Sequence, residues 1–264
     1  MNIITLSAFD LSLAALLVVL LAILGLILQL GVTRQLLVAG LRTTVQLLLI
    51  GFILKTLFEN TNLWYMAAIA GLMLLLAGRE VMARQTHPYK GTWGFAMGTT
   101  AMFMSTFTVT LIALTVIINT DPWYTPQYAI PLLGMMLGNT MTGIALGLER
   151  LTQAAREKRN QIEAQLMLGH SSTQAITAIR RESMRYGMIP IINSMAAAGI
   201  VSLPGMMTGQ ILSGTPPLEA VKYQILIMFL IAAGTGFGTV VAVLLGSRRL
   251  FDHRQRLRLD RLRS

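Results

Sequence analysis

Long runs of apolar residues without charges dominate this chain, and the polar residues gather between the runs. Each run has about 17–25 residues, the length that an α-helix needs to cross about 30 Å of hydrocarbon. We predict an all-α, polytopic membrane protein with a single transmembrane domain over residues 1–264. Its predicted spans, about seven, cover residues 11–30, 36–58, 63–78, 93–118, 128–148, 188–212 and 223–245.

The basic residues divide unevenly between the two sides of these spans. The segments on one side hold 19 of the 21 lysines and arginines, and the other side holds only Lys55 and Lys222. Because cytoplasmic segments of membrane proteins are rich in Lys and Arg, the basic side is predicted to be cytoplasmic. An N-terminus outside and a C-terminus inside then require an odd number of spans.

Two polar segments on the basic side stand out. Residues 149–187 are rich in Ala, Glu, Gln and Arg and are expected to form a helical cytoplasmic loop, with Glu149 ion-paired to its neighbour Arg150. Residues 248–264 form a basic tail that alternates Leu with Arg and is expected to lie on anionic lipid headgroups, as an amphipathic or disordered end. Since the basic charge follows the topology, we expect a lipid membrane as partner and no nucleic acid.

Several kinds of chemistry lack the residues that they need. The chain has no cysteine, its three histidines are far apart, and it carries no phosphate-binding loop of the GxxxxGK[ST] type. We therefore expect neither an enzyme nor a bound cofactor, and any ATP hydrolysis would belong to a partner subunit. The sequence leaves metal ligands unknown.

One stretch of the cytoplasmic loop, Glu163-Ala-Gln-Leu-Met-Leu-Gly169 followed by Ile179, resembles the EAA loop of ABC-transporter permeases. The resemblance implies that this helix docks into a groove on the ATPase subunit through Glu163, Ala164, Leu168 and Gly169. Gln165 departs from the pattern, and so does the Arg181-Glu182 pair that replaces Leu-Pro. The alternative is an ordinary surface helix that ends at a glycine.

The resemblance extends over most of the chain, through residues 41–47, 131–150, 190–195 and 203–214. In these stretches the chain is similar to the FetB/YbbM family of iron-export ABC permeases. That family implies a homodimeric permease subunit in a bacterial cytoplasmic (inner) membrane, driven by two copies of a separate ATPase and exporting iron or another metal cation.

Two alternatives stay open. A plant branch of the family is tied to aluminium tolerance, which allows a non-metal substrate such as a nucleotide sugar. A secondary carrier working without ATP is the other, although no acidic residue lies in the middle of a span to couple protons.

Polar and sulfur-bearing residues inside the spans are candidates for a substrate pathway, because such groups must face protein, water or substrate. Gly134-Met-Met-Leu-Gly138 and Gly205-Met-Met-Thr-Gly209 repeat one pattern, whose small residues allow close helix contact and whose thioethers are soft ligands. The alternative role is packing and interhelical hydrogen bonding. Pro204-Gly205 is expected to break the sixth span, and the predicted pathway residues are Gln46, Met135, Met136, Asn139, Asn193, Met206, Met207 and Gln210.

Overall fold

The computed structural model describes residues 7–59 and 62–263, and its helices occupy most of that length. The first six residues of the predicted outside N-terminus, residues 60 and 61 of the second loop and residue 264 of the tail lie outside the described residues. The helices are α1 Ala8–Ile27, α2 Thr33–Glu59, α3 Leu63–Ala83, α4 Trp93–Met102, α5 Thr108–Ile112, α6 Pro126–Glu157, α7 Arg159–Met167, α8 Ser172–Ala175, α9 Thr177–Ala197, α10 Gly205–Leu212 and α11 Pro217–Arg249.

Within the described residues, six helices are long and apolar enough to cross a membrane: α1, α2, α3, the segment from α4 to residue 117, α6 and α11. That fourth segment is continuous because two π-helical turns, Phe103–Phe107 and Ala113–Ile117, flank α5. Turns of this kind often mark functional positions in helices. The protein is thus a helical membrane protein, while the count of seven spans and the outside N-terminus stay predictions.

The predicted sixth span, residues 188–212, is two helices in the structure rather than one. Helix α9 ends at Ala197, a turn with Gly199 at a φ of +86° follows, and α10 begins at Gly205, where the sequence predicts a break. Proline favours this arrangement, since Pro204 has no N–H to continue a helix. The charged first half of α9 also leaves too short an apolar part for a conventional span.

The chain divides into two compact units, of which the first contains α1, α2 and residues 212–214. Within it, the Thr33 hydroxyl donates to the carbonyl of Ala22 at 3.2 Å, beside Gly25 of α1. Ala22 and Gly25 are the buried residues of α1, whose other described side chains are exposed and mostly apolar. Such a surface suits hydrocarbon surroundings.

The second unit is built on close contact among α6, α9 and α11. A Cβ added to Gly143 would lie 2.6 Å from Cγ2 of Thr235 and 3.0 Å from the carbonyl oxygen of Gly187. A Cβ on Gly187 would lie 2.5 Å from the carbonyl oxygen of Gly143. Glycine is required here because the backbones of α6 and α9 approach closer than any side chain allows.

The repeated Gly-Met-Met patterns do not make such contacts within the described chain. An added Cβ at Gly138, Gly205 or Gly209 would meet nothing within 4 Å, and at Gly134 it would meet only a methionine methyl at 3.3 Å. Within the described residues of one chain, the close contact predicted at these motifs is therefore not seen. The contact lies one helical turn further along α6, at Gly143 and Gly147, a pair with the same spacing in the sequence.

We predict that Gly143→Ala destabilises the protein and that Gly138→Ala does not. The new methyl group at position 143 must push α9 or α11 away, and overpacking of this kind costs about 1–3 kcal/mol. Thermal unfolding in detergent measures the difference. Equal melting temperatures for the two variants would contradict the assigned contact.

Candidate docking site

The segment that joins α6 to α9 contains two short helices and is attached to the rest of the protein by buried apolar side chains. Residues 158–176, called here the α7–α8 segment, comprise α7, a turn and α8. Ile162 of α7 is 2% exposed, and Ile176 and Ile179 beyond α8 are 2% and 4% exposed. These anchors fix the segment to the body of the protein, and Ile179 of the sequence pattern is one of them.

The turn after α7 is built on Gly169, which has a φ of +88°, a conformation that favours glycine. Its N–H donates to the carbonyl of Leu166, and the N–H of His170 donates to that of Gln165. Ser171 then caps α8 in a capping box with Gln174. The predicted sharp turn and serine cap are both present.

The turn exposes the apolar tip of α7. Met167 and Leu168 are 85% and 79% exposed, and Ala164 is exposed beside them. Glu163 is half-buried, and its carboxylate accepts from Nε of Arg159 at 2.8 Å. The four predicted coupling residues, Glu163, Ala164, Leu168 and Gly169, thus share one continuous turn; their role in coupling stays a prediction.

An ion cluster ties the two ends of the α7–α8 segment together. Glu182 of α9 accepts from the guanidinium of Arg150 on α6 and pairs with Nζ of Lys158 at 3.4 Å. The hydrogen bond from Arg150 holds the pKa of the Glu182 carboxyl below its usual value. The cluster therefore links α6, α9 and the first residue of the α7–α8 segment by side-chain contacts.

The expected ion pair between Glu149 and Arg150 does not form. Adjacent residues of a helix point in different directions and rarely face each other. The Glu149 carboxylate instead accepts the backbone N–H of Thr86 at 2.8 Å, in the connection between α3 and α4.

The described part of the basic tail folds back on the protein, contrary to the expectation of an amphipathic or disordered end. Leu250, Phe251 and Leu262 are 0%, 8% and 4% exposed. The N–H of Lys90 donates to the carbonyl of Arg261 at 2.8 Å, and the Arg261 guanidinium donates to the carbonyls of residues 249 and 251. The leucines of the alternating pattern face the protein core here. The same pattern would also fit a helix lying on lipid headgroups, with its leucines towards the hydrocarbon.

The tail forms a tight loop beside the α7–α8 segment. Residues 252–257, called here the tail loop, are closed by the antiparallel bridge between Phe251 and Leu257 and by Asp252, which accepts the N–H groups of Arg254 and Arg256 at 2.9 Å. The Gln255 side chain accepts the N–H of Ser172 at 2.6 Å. A cleft of about 480 Å³ separates this loop from α7.

A second site gathers three of the predicted pathway residues. Met135 of α6 with Met206 and Gln210 of α10 line a cavity of about 260 Å³, together with Tyr128 and Tyr223. Pro131 also lines it and, having no N–H, leaves the carbonyl of residue 127 without its helical donor. The residues that line the cavity therefore include amide, phenol and thioether side chains. Within the described residues, no three His, Cys, Asp or Glu side chains form a group that could hold a metal ion.

The other predicted pathway residues lie elsewhere. Met136 is fully buried against Gly234, and Met207 is 7% exposed, so both pack in the interior. Asn139 is exposed and donates to the carbonyl of Met135, and Asn193 is exposed on α9. Gln46 is exposed on α2 of the first unit.

Long apolar helices joined by short connections, with one polar excursion and a basic end, define a polytopic helical membrane protein. The particular family follows from sequence comparison. The profile of the "Uncharacterised protein family (UPF0014)" matches residues 8–251, and the chain belongs to this family. No solved structure matches the chain significantly.

Three relatives indicate the breadth of the family. A UPF0014 membrane protein of Synechocystis is 40% identical over 228 residues, 86% of this chain and 87% of the relative. The "Probable iron export permease protein FetB" of Escherichia coli is 29% identical over 231 residues, 84% of this chain and 83% of FetB. "Protein ALUMINUM SENSITIVE 3" of Arabidopsis thaliana is 30% identical over 233 residues, 88% of this chain and 83% of that protein. The resemblance inferred from the motifs is thereby confirmed.

We predict that Asp252→Asn loosens the tail loop at neutral pH. Hydrogen bonds, above all from the backbone N–H of Arg256, lower the pKa of Asp252 to about 2. The stability that this carboxylate contributes is therefore complete above the ordinary pKa of 3.8 and is lost as the pH falls through about 2. Hydrogen exchange at residues 252–257 should quicken in the variant.

Asp260→Asn is the matched control. The pKa of Asp260 is also about 2, but chiefly because its carboxylate accepts from the side chain of Arg258, two residues before it. Faster exchange of the tail loop in this control, or unchanged exchange in Asp252→Asn, would contradict the role assigned to Asp252.

Proposed function

We propose that this chain is the permease subunit of an ABC transporter, working as a homodimer with two copies of a separate ATPase subunit in a bacterial cytoplasmic membrane. The observation that carries the proposal is the apolar tip of α7, with Met167 and Leu168 exposed on a segment anchored by buried isoleucines. A soluble partner with an apolar groove would cover such a tip.

The tail loop extends this docking surface. Arg254 and Arg256 project beside α7 across the cleft, and both are exposed. The partner groove should therefore have an acidic rim on the side that faces the tail. An apolar centre within a charged rim is the usual anatomy of a protein interface.

Helix α6 provides the path from docking to transport. Its 32 residues run from the cavity, lined by Pro131 and Met135, to the ion cluster at Arg150. ATP-driven closure of the two ATPase subunits would move the α7–α8 segment. Because Glu182 joins α9 to α6 there, both helices would move together and change the cavity at the other end.

The proposed substrate is iron or another metal cation. The name of the Escherichia coli relative supports iron, and the cavity supports a cation because its polar lining comes from neutral oxygen donors and thioethers. Thioethers favour softer cations than Fe(II), whereas amide and phenol oxygens accept harder ones. Gln210, Tyr128 and Tyr223 would therefore matter most for iron.

We expect Leu168→Asp to reduce co-purification with the proposed ATPase subunit, co-expressed with this chain, about tenfold or more. Burying a leucine contributes about 1.5–3 kcal/mol, and about 1.4 kcal/mol corresponds to a factor of ten in affinity. Thr173→Asp places the same charge at an exposed position of α8 and should leave assembly intact. Full assembly of the Leu168 variant would refute the docking assignment.

Two neighbouring methionines test the cavity. Met206 lines it and Met207 does not, so Met206→Leu should raise the metal concentration that half-maximally stimulates ATP hydrolysis in liposomes, while Met207→Leu should change it little. The exchange of Met for Leu conserves volume, which limits effects on folding. Stimulation unaltered by Met206→Leu would remove the cavity thioether from the substrate path.

A further inference from the structure

A cleft of about 470 Å³ lies between the start of α4, the end of α11 and the tail. One wall is apolar and consists of Ala96, Met97 and Thr100 of α4 with Leu245 of α11. Phe251 of the tail contributes to the floor and is buried. A soluble anion would leave this apolar wall facing water.

The rim of the cleft is cationic. Arg248, Arg249 and Arg261 contribute three guanidinium groups, and Asp252 contributes the only carboxylate among its lining residues. That carboxylate already accepts two backbone N–H groups and the side chain of Arg256. The rim therefore presents a net positive charge to whatever enters.

The cleft lies at the level expected for a membrane surface. Trp93 is the first residue of one candidate span and Arg249 is the last residue of another. The guanidinium carbon of Arg249 lies 4.4 Å from the centre of the Trp93 ring. Tryptophan is enriched where hydrocarbon meets headgroups, so we expect the apolar wall to face the bilayer and the arginines to face its surface.

We propose that this cleft binds an anionic phospholipid, with its phosphate among the three arginines and an acyl chain along Ala96, Thr100 and Leu245. Basic pockets between transmembrane helices bind anionic headgroups elsewhere in membrane proteins. Arginine also forms paired hydrogen bonds with phosphate oxygens. A ligand with both a charged head and an apolar chain is the chemistry that matches both walls.

Such a lipid would bridge the transmembrane helices and the tail. It would contact α4, α11 and Arg261, whose side chain holds the backbone of residues 249 and 251. Because the tail loop also bonds to Ser172, occupancy of the cleft would steady the end of the protein that carries the α7–α8 segment. The binding itself does not depend on the ATPase.

The test is thermal unfolding of the full chain in mild detergent with added phosphatidylglycerol or phosphatidylcholine at equal mole fraction. Phosphatidylglycerol should raise the melting temperature by roughly 3 °C or more, since a ligand that binds only the folded state stabilises it. Phosphatidylcholine and glycerol phosphate should each give less than half of that shift. An equal shift with either would overturn the proposal, with glycerol phosphate indicating a simple anion site.

Variants locate the effect. Arg248→Gln with Arg249→Gln should abolish most of the shift, whereas Arg181→Gln with Arg185→Gln, at exposed positions of α9, removes the same charge and should retain it. Ala96→Phe fills the apolar wall without changing charge and should also abolish the shift. Native mass spectrometry should show one retained phosphatidylglycerol per chain, lost in both cleft variants. If the arginine double variant and Ala96→Phe both kept the shift in melting temperature and the retained lipid, the assignment would be overturned.

Discussion

The close approach of α6 to α9 and α11 is the constraint on which the second unit depends. Gly143 and Gly187 bring two backbones into direct contact, and Thr239 closes the third side. In lipid, apolar helices gain little by leaving their surroundings, so tight van der Waals packing must hold them together. At about 1.5 Å per residue, α6 is about 48 Å long, and this junction fixes it near its middle. A long helix held at its middle could carry a displacement from one end to the other, as the proposed function requires.

Contacts between segments far apart in sequence hold the basic end of the second unit together. Glu149 binds the connection before α4, Glu182 joins α9 to α6, and Gln255 of the tail caps the start of α8. None of these contacts is strong alone, because each lies at least partly in solvent. Together they join the α3–α4 connection to α6, α6 to α9, and the tail to α8. The exposed tip of α7 is therefore presented on a supported base, as a docking element requires.

The local features of this site were predictable and the long-range ones were not. Gly169, followed by Ser171, carries its turn and cap in the sequence itself, and Pro204 marks the start of α10. The pairing of Arg150 with Glu182 joins residues 32 positions apart, and only the packing of α6 on α9 selects it over the neighbouring Glu149. The tail illustrates the same limit, since a Leu-Arg alternation fits a lipid surface and a protein surface equally well. Gly143 and Gly147 have the four-residue spacing of small residues that predicts close helix packing. The Gly-Met-Met motifs share that spacing, so spacing alone does not tell which pair makes the contact.

The broken helix between α9 and α10 connects these observations to the proposed function. Irregular backbone at membrane depth is tolerated only where protein covers it or where it lines a polar cavity. Helix α10 meets that condition, since Met206 and Gln210 face the cavity at the start of α6. One end of α6 thus lines a cavity together with α10, and the other end carries the candidate docking segment. A displacement of α6 that is small at the docking end would alter the spacing of the oxygen and sulfur donors around the cavity. A cation held by neutral ligands is sensitive to such changes, because its binding depends on how many of those ligands reach it at once.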